Sequence, residues 1–194
     1  MSRAANPRAA EQLSQAVWDV LARQGLEHLT IRAVAAAAGC TTGLVMHRFP
    51  NRRALLRHAR ELLHSRTLAR VEALEAAAST PREALRAVLA QGLATTEAGT
   101  VESVVWIGFL AATVGDDELL ELHRVNTRAW RQRILRLVAA ASPTWSDSEV
   151  STAALALMGM AEGAAALASA DPDTYSAALQ EAALDRTLHA LGLD

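Results

Sequence analysis

The sequence predicts an all-α fold of about nine helices joined by short connections. Apolar residues make up 51% of the chain and are carried by Ala and Leu, with only 4% aromatic residues, a composition that favours helices over a large sheet. Apolar positions recur at three- and four-residue spacing, and no segment alternates as a strand does. Helix start and stop residues punctuate the chain at matching intervals. At 194 residues the chain is long enough to bury a core without disulfides or metal.

Each element follows from its local pattern. Leu13, Ala16, Val17, Val20 and Leu21 mark a first amphipathic helix from Ala9 to Arg23, stopped by Gly25. Thr30 caps a two-turn helix bearing Ile31, Val34, Ala35 and Ala38, which Gly39 ends. A second short helix runs from Thr42 to Phe49 and closes at Pro50. Asn51 caps a long helix reaching toward Ala78. Thr80-Pro81-Arg82-Glu83 and Ser146-Asp147-Ser148-Glu149 both read as capping boxes. Between them, Gly99-Thr100 and Gly115-Asp116 read as breaks before helices Val101–Val114 and Asp117–Ala141, and Asp171-Pro172-Asp173 reads as the start of the last helix, ending near Leu191.

The near-neutral net charge of −2 conceals a division. Residues 1–70 carry 11 Arg against Glu11, Asp19, Glu27 and Glu61, a net +7, while residues 71–194 carry 8 Arg against 17 acids, a net −9. A basic third on an acidic remainder fits a nucleic-acid-binding module with a regulatory body. All 19 basic residues are Arg, whose planar forks suit phosphate and guanine. A single Cys forms no internal bridge, no secretory leader opens the chain, and no apolar run approaches the roughly 18 residues of a membrane span. A cytoplasmic protein without membrane attachment is the expectation.

The segment Ile31–Pro50 has the spacing of a helix-turn-helix. Ala35 lets two helices approach, Gly39 takes the left-handed turn, and Val45 packs the second helix onto the first. The outer face of that second helix is then free to enter a major groove. Arg3 and Arg8 lie in an N-terminal arm of the kind that reaches a minor groove or simply hangs in solvent.

Residues 10–60 resemble the TetR/AcrR family of transcriptional regulators: Leu29-Thr30-Ile31-Arg32, Val34-Ala35, Ala38-Gly39, Thr42-Gly43-Leu44-Val45 and Phe49-Pro50-Asn51-Arg52-Arg53-Ala54-Leu55-Leu56 follow its pattern. Met46 stands where many members carry a phosphate-touching Tyr, Arg52 where Lys is usual, and Arg53 where an acid is common. Thr42-Gly43 with His47 and Phe49 is similar to the BetI-like version, as are Trp106 with Phe109, Asp117-Glu118-Leu119, Leu122-His123-Arg124 and Arg128-Ala129-Trp130-Arg131. Glu162-Gly163-Ala164 replaces the Asp-Gly-Leu often seen there. The resemblance implies that Thr30 and Arg32 contact phosphate or a base at the groove edge and that Arg52 grips phosphate. It also implies that Thr41, Thr42, Leu44 and His47 face the groove and that Gly43 permits close approach, with Met46 and Arg48 as further candidates on the same helix.

For the second half, a ligand pocket is expected from Trp106, Phe109, Leu110 and Thr113 on one helix, His123, Asn126 and Trp130 on the next, and Met158 and Glu162 on a third. An ordinary core is the alternative for such stripes. The polar His123, Asn126 and Glu162 each interrupt an apolar stripe and so need partners. Ala156, Gly159, Gly163 and Ala166 form a stripe of small residues, expected as a homodimer interface or as tight packing within one chain. The domains expected are a head at 1–50, a connecting helix at 51–78, and a ligand-binding and dimerisation body at 79–194. No metal or cofactor is expected: Glu61-x-x-His64 lacks the second pair that a di-iron site needs. No phosphate loop, zinc helix or nucleophile elbow gives an enzyme a site. The expectation is a non-enzymatic regulator, a repressor of a double-stranded operator released by a small-molecule effector. A helical binding or scaffold protein without specific DNA recognition is the alternative.

Overall fold

Side-chain caps set the helix boundaries in the computed structural model, which describes residues 7–194. Nine helices form among the described residues, with no strand: α1 (Pro7–Gln24), α2 (Ile31–Ala38), α3 (Thr42–Arg48), α4 (Arg52–Ala77), α5 (Pro81–Gln91), α6 (Glu97–Ala112), α7 (Asp117–Ala141), α8 (Asp147–Ala170) and α9 (Ala177–Ala190). Asn51 Oδ1 accepts from the Ala54 amide at 2.8 Å to start α4. At Ser146 and Glu149 both bonds of the capping box are made. At Thr80 only half is: Thr80 Oγ1 accepts from the Glu83 amide, but the Glu83 carboxylate reaches past Thr80 to the amide of Ser79.

Two helix starts differ from the sequence expectation. Gly99-Thr100 is no break, because Thr96 already caps α6 and accepts from the Gly99 amide at 3.0 Å. The glycine serves close approach instead: a Cβ there would lie 2.8 Å from the Leu93 carbonyl oxygen. The last helix is capped by Ser176, five residues past Asp171, because Asp171 commits its carboxylate to a turn, accepting from the Thr174 amide at 3.1 Å. Arg3 lies outside the described residues. Arg8 belongs to the first turn of α1 rather than to an arm.

Two main buried clusters organise the molecule. One joins α1–α3 and the start of α4, and takes Val105 and Phe109 from α6 and Leu119 from α7. The other joins α5, α7, α8 and α9 around Leu85, Leu89, Ile134, Leu157 and Leu184. The buried Gln180 of α9 ties down the segment between α5 and α6, accepting from the Ala94 amide and donating to the Ala94 and Tyr175 carbonyls. By length and composition α8 is apolar enough to cross a membrane, with mean hydropathy 1.5, unlike the sequence expectation. Its Ala153, Leu157 and Ala161 face is buried against neighbouring helices.

Candidate functional site

The head presents α3 by a short chain of local causes. Gly39 adopts φ 62, a conformation that costs most other residues strain, and the turn closes as the Cys40 amide donates to the Ala35 carbonyl at 3.0 Å. Val45, fully buried, holds α3 against α2. The remaining α3 positions Thr42, Gly43, Leu44, Met46, His47 and Arg48 all face solvent, Met46 with 53% exposure. Thr30 and Thr41 are exposed N-caps whose hydroxyl oxygens accept from the amides of Ala33 and Leu44, leaving each O–H to donate outward.

The arginines around this face divide. Arg32 is exposed at the start of α2. Arg52, exposed at the start of α4, donates weakly to the Leu26 carbonyl at 3.4 Å. Arg48 lies 5.6 Å from the ring centre of Phe49. Arg53 turns away from α3 and pairs with Glu118 at 3.1 Å and Asp116 at 3.8 Å, joining the start of α4 to the start of α7. Behind the head, His58 shares a hydrogen bond with Ser14 at 3.0 Å, and its pKa lies below the ordinary value because of burial and then the Arg48 charge.

The body holds a partly open cavity of about 310 Å³ walled by α4–α8, at the lower end of the range for small-ligand sites. Of the residues expected there, Trp106, Asn126, Trp130, Met158 and Glu162 line it. Phe109, Leu110, Thr113 and His123 do not. Phe109 is buried in the head-side cluster, because the C-terminal half of α6 leaves the cavity and packs on the head. Leu110 is exposed, and Thr113 ends α6 with its hydroxyl donating to the Leu110 carbonyl at 2.7 Å. His123 stands behind the wall, 6.2 Å from Trp106 between ring centres and 3.3 Å from Thr127 Oγ1. Leu155, on the same helix as Met158 and Glu162, is 72% exposed.

Sequence reading missed the α4 and α5 contributions, chiefly Arg60, His64, Leu68 and Gln91. Burial without a partner carboxylate lowers the Arg60 pKa to about 10. Burial also lowers the pKa of His64 and of His123, and the Arg60 charge adds to both effects. Burial pushes the Glu162 carboxyl upward. Glu61, the partner of His64 in the apparent metal-spaced pair, is exposed and faces Arg57 at 4.0 Å.

On the outer face of α8, Ala156, Gly159 and Gly163 are exposed and Ala166 is partly so. A Cβ added to Gly159 or Gly163 would meet nothing within 4 Å. Tight packing inside the chain therefore does not explain the small stripe.

Residues 14–59 match the family model described as bacterial regulatory proteins, tetR family, and residues 81–193 match the BetI-type transcriptional repressor C-terminal model. An HTH-type transcriptional regulator BetI from Burkholderia cenocepacia is 32% identical over 171 residues, covering 86% of each chain. A transcriptional regulator from Rhodococcus sp. Rha1 is similar in structure with a TM-score of 0.82 at 29% identity, over 93% of this chain and 94% of its own. A regulator from Saccharomonospora viridis, solved in complex with choline, has a TM-score of 0.86 at 17% identity, over 95% and 97%; likeness at that identity is likeness of fold.

Proposed function

The chain belongs to the TetR family of bacterial regulatory proteins, with a BetI-type repressor C-terminal domain, and is a transcriptional regulator rather than an enzyme. From that premise we propose that it is a cytoplasmic homodimeric repressor, with a head at 1–50 that reads an operator and a body at 79–194 that binds a small effector and dimerises. The observation that carries this reading is the double membership of α4. Arg52 at its start is exposed and follows the end of α3 by four residues, and Arg60, about 12 Å further along the helix, lines the cavity. A ligand pressing on the middle of α4 moves α3. Two such heads must meet half-sites one duplex turn (about 34 Å) or a multiple of it apart, so a small change in their separation defeats binding.

In this reading Thr30, Arg32 and Arg52 hold phosphate, Thr41, Thr42, Leu44 and His47 face base edges, Gly43 allows the close approach, and Met46 and Arg48 flank them. The indole faces of Trp106 and Trp130 beside the Glu162 carboxylate suit a cation, and choline, present in the Saccharomonospora structure, is the first probe. Fluorescence anisotropy of labelled duplex from the protein's own upstream region tests the proposal. Choline is expected to quench Trp emission and release the duplex, with Trp130→Ala and Glu162→Gln losing release while keeping a normal melt. Release intact in both variants, with a lowered melt, would make these residues structural.

The second copy is assigned to the stripe Ala156, Gly159, Gly163 and Ala166. A Cβ at Gly163 meets nothing in the isolated chain, so the expected effect of Gly163→Leu is a shift to monomer by light scattering with a matching loss of DNA affinity. A variant that stays dimeric places the interface elsewhere.

A further inference from the structure

Two Arg and two Glu line the cavity, and only half of that charge is paired. Arg133 meets Glu75 and, at 3.7 Å, Glu72, while Glu102 meets Arg70. Arg60 and Glu162 have no such partner among the described residues. Arg60 is 5% exposed, and its side chain makes no hydrogen bond or ion pair, with Nε fully enclosed. A guanidinium held this way is destabilising unless something outside the fold meets it. Its ionisable neighbours His64 and His123 offer no negative charge.

A second buried donor opens on the same space. Asn126 of α7 is 9% exposed, lines the cavity, and leaves Nδ2 without an acceptor. Two unsatisfied donors, one of them cationic, fit a group that only accepts, and a carboxylate offers two oxygens to a guanidinium fork. The acceptors of the wall are equally unmet: Gln91 Oε1 has no donor, and Glu162 has no cation. The cavity thus presents a cationic site and an anionic site to one ligand. We propose that this cavity takes an amphoteric small molecule whose carboxylate docks on Arg60 and Asn126 and whose cationic nitrogen lies toward Trp106, Trp130 and Glu162. The proposal rests on the cavity being the effector site and adds to it an anionic group that choline lacks. Since Arg60 belongs to α4, the carboxylate binds directly to the helix that follows α3 in the chain and packs on α1 of the head.

Three probes of similar shape separate the two ends: choline, trimethylglycine, and 3,3-dimethylbutanoate, in which a tert-butyl group replaces the ammonium. Titrated into the full chain and followed by Trp emission, trimethylglycine is expected to bind about tenfold to a hundredfold more tightly than choline. Arg60→Gln is expected to remove that advantage and to abolish binding of 3,3-dimethylbutanoate. Arg60→Met, which replaces the unpaired charge by an apolar chain, is expected to raise the melting temperature of the ligand-free protein. Choline binding as tightly as trimethylglycine, or an advantage that survives Arg60→Gln, would overturn the carboxylate site and leave the cavity as a cation site. No saturable quenching by any probe would overturn both readings. A lowered melt for Arg60→Met would make Arg60 a structural residue and overturn the proposal.

Discussion

In the head, the residues assigned to DNA lie between Thr30 and Arg52, are exposed, and are positioned by contacts a few residues away: a cap at Thr41, a left-handed turn at Gly39, one buried side chain at Val45. In the body, the cavity draws its walls from five helices spanning Arg60 to Ala165 and is partly open to solvent, with Arg60 and Asn126 buried in its wall. The head's surface is charged and faces water, where unpaired groups cost little. The body's unpaired groups are buried, where they cost a great deal. An exposed Arg therefore says little about a partner, whereas the buried Arg60 says much.

The largest effect expected from this contrast is at Val45. Val45→Asp buries a charge between α2 and α3 and costs several kcal/mol, so DNA binding is expected to vanish while most of the helical circular-dichroism signal and the Trp response to ligand persist. Loss of both together would show that the two regions fold as one unit. Thr42→Ala and His47→Ala are expected to act on reading rather than folding, each lost base contact reducing discrimination between operator and scrambled duplex by about 1 to 3 kcal/mol. Unchanged preference in both would move base reading to another face of α3.

The neighbouring Arg52 and Arg53 differ in their partners. Arg52→Ala is expected to flatten the logarithmic salt dependence of DNA affinity by about one unit. Arg53→Ala, which breaks exposed pairs with Asp116 and Glu118, is expected to leave that slope alone and cost at most about 1 kcal/mol of stability. Equal slopes for the two variants would place Arg53 on phosphate. The smallest effect concerns pH. His58, His64 and His123 all have folded pKa values below 6.5, so below pH 6.5 the unfolded chain takes up protons that the folded chain refuses. Stability is expected to be full above that pH and to fall as pH drops from it toward the folded values, which melts across pH 5 to 8 would detect. A flat profile would mean that the three rings are solvated in solution.

Elements with local causes were legible in the sequence. Thr30, Gly39, Asn51 and Ser146 act through bonds to residues three to five positions away, and their patterns predict what forms. The start of the last helix was not, because Asp171 and Ser176 both accept from the amide three residues on, and only the second bond opens the helix. Phe109 shares a helical stripe with Trp106, yet the stripe runs out of the cavity into the head cluster, which depends on where α6 crosses α1. Arg60 was hidden among the basic residues of α4: its meaning comes from burial without a carboxylate, and spacing along one helix carries no such information.

In the proposed mechanism the cavity governs the head through α4, and the spacing of the two heads in the proposed dimer reports that coupling. A spin label on the exposed Ala36 of α2, introduced as Ala36→Cys in a Cys40→Ser background, reports that spacing by electron–electron distance measurement in the free protein and after adding choline or trimethylglycine. The expected result is a shift of the distance distribution at the same ligand concentration that releases operator duplex, absent in Trp130→Ala. Release of the duplex with an unchanged distance would contradict the account.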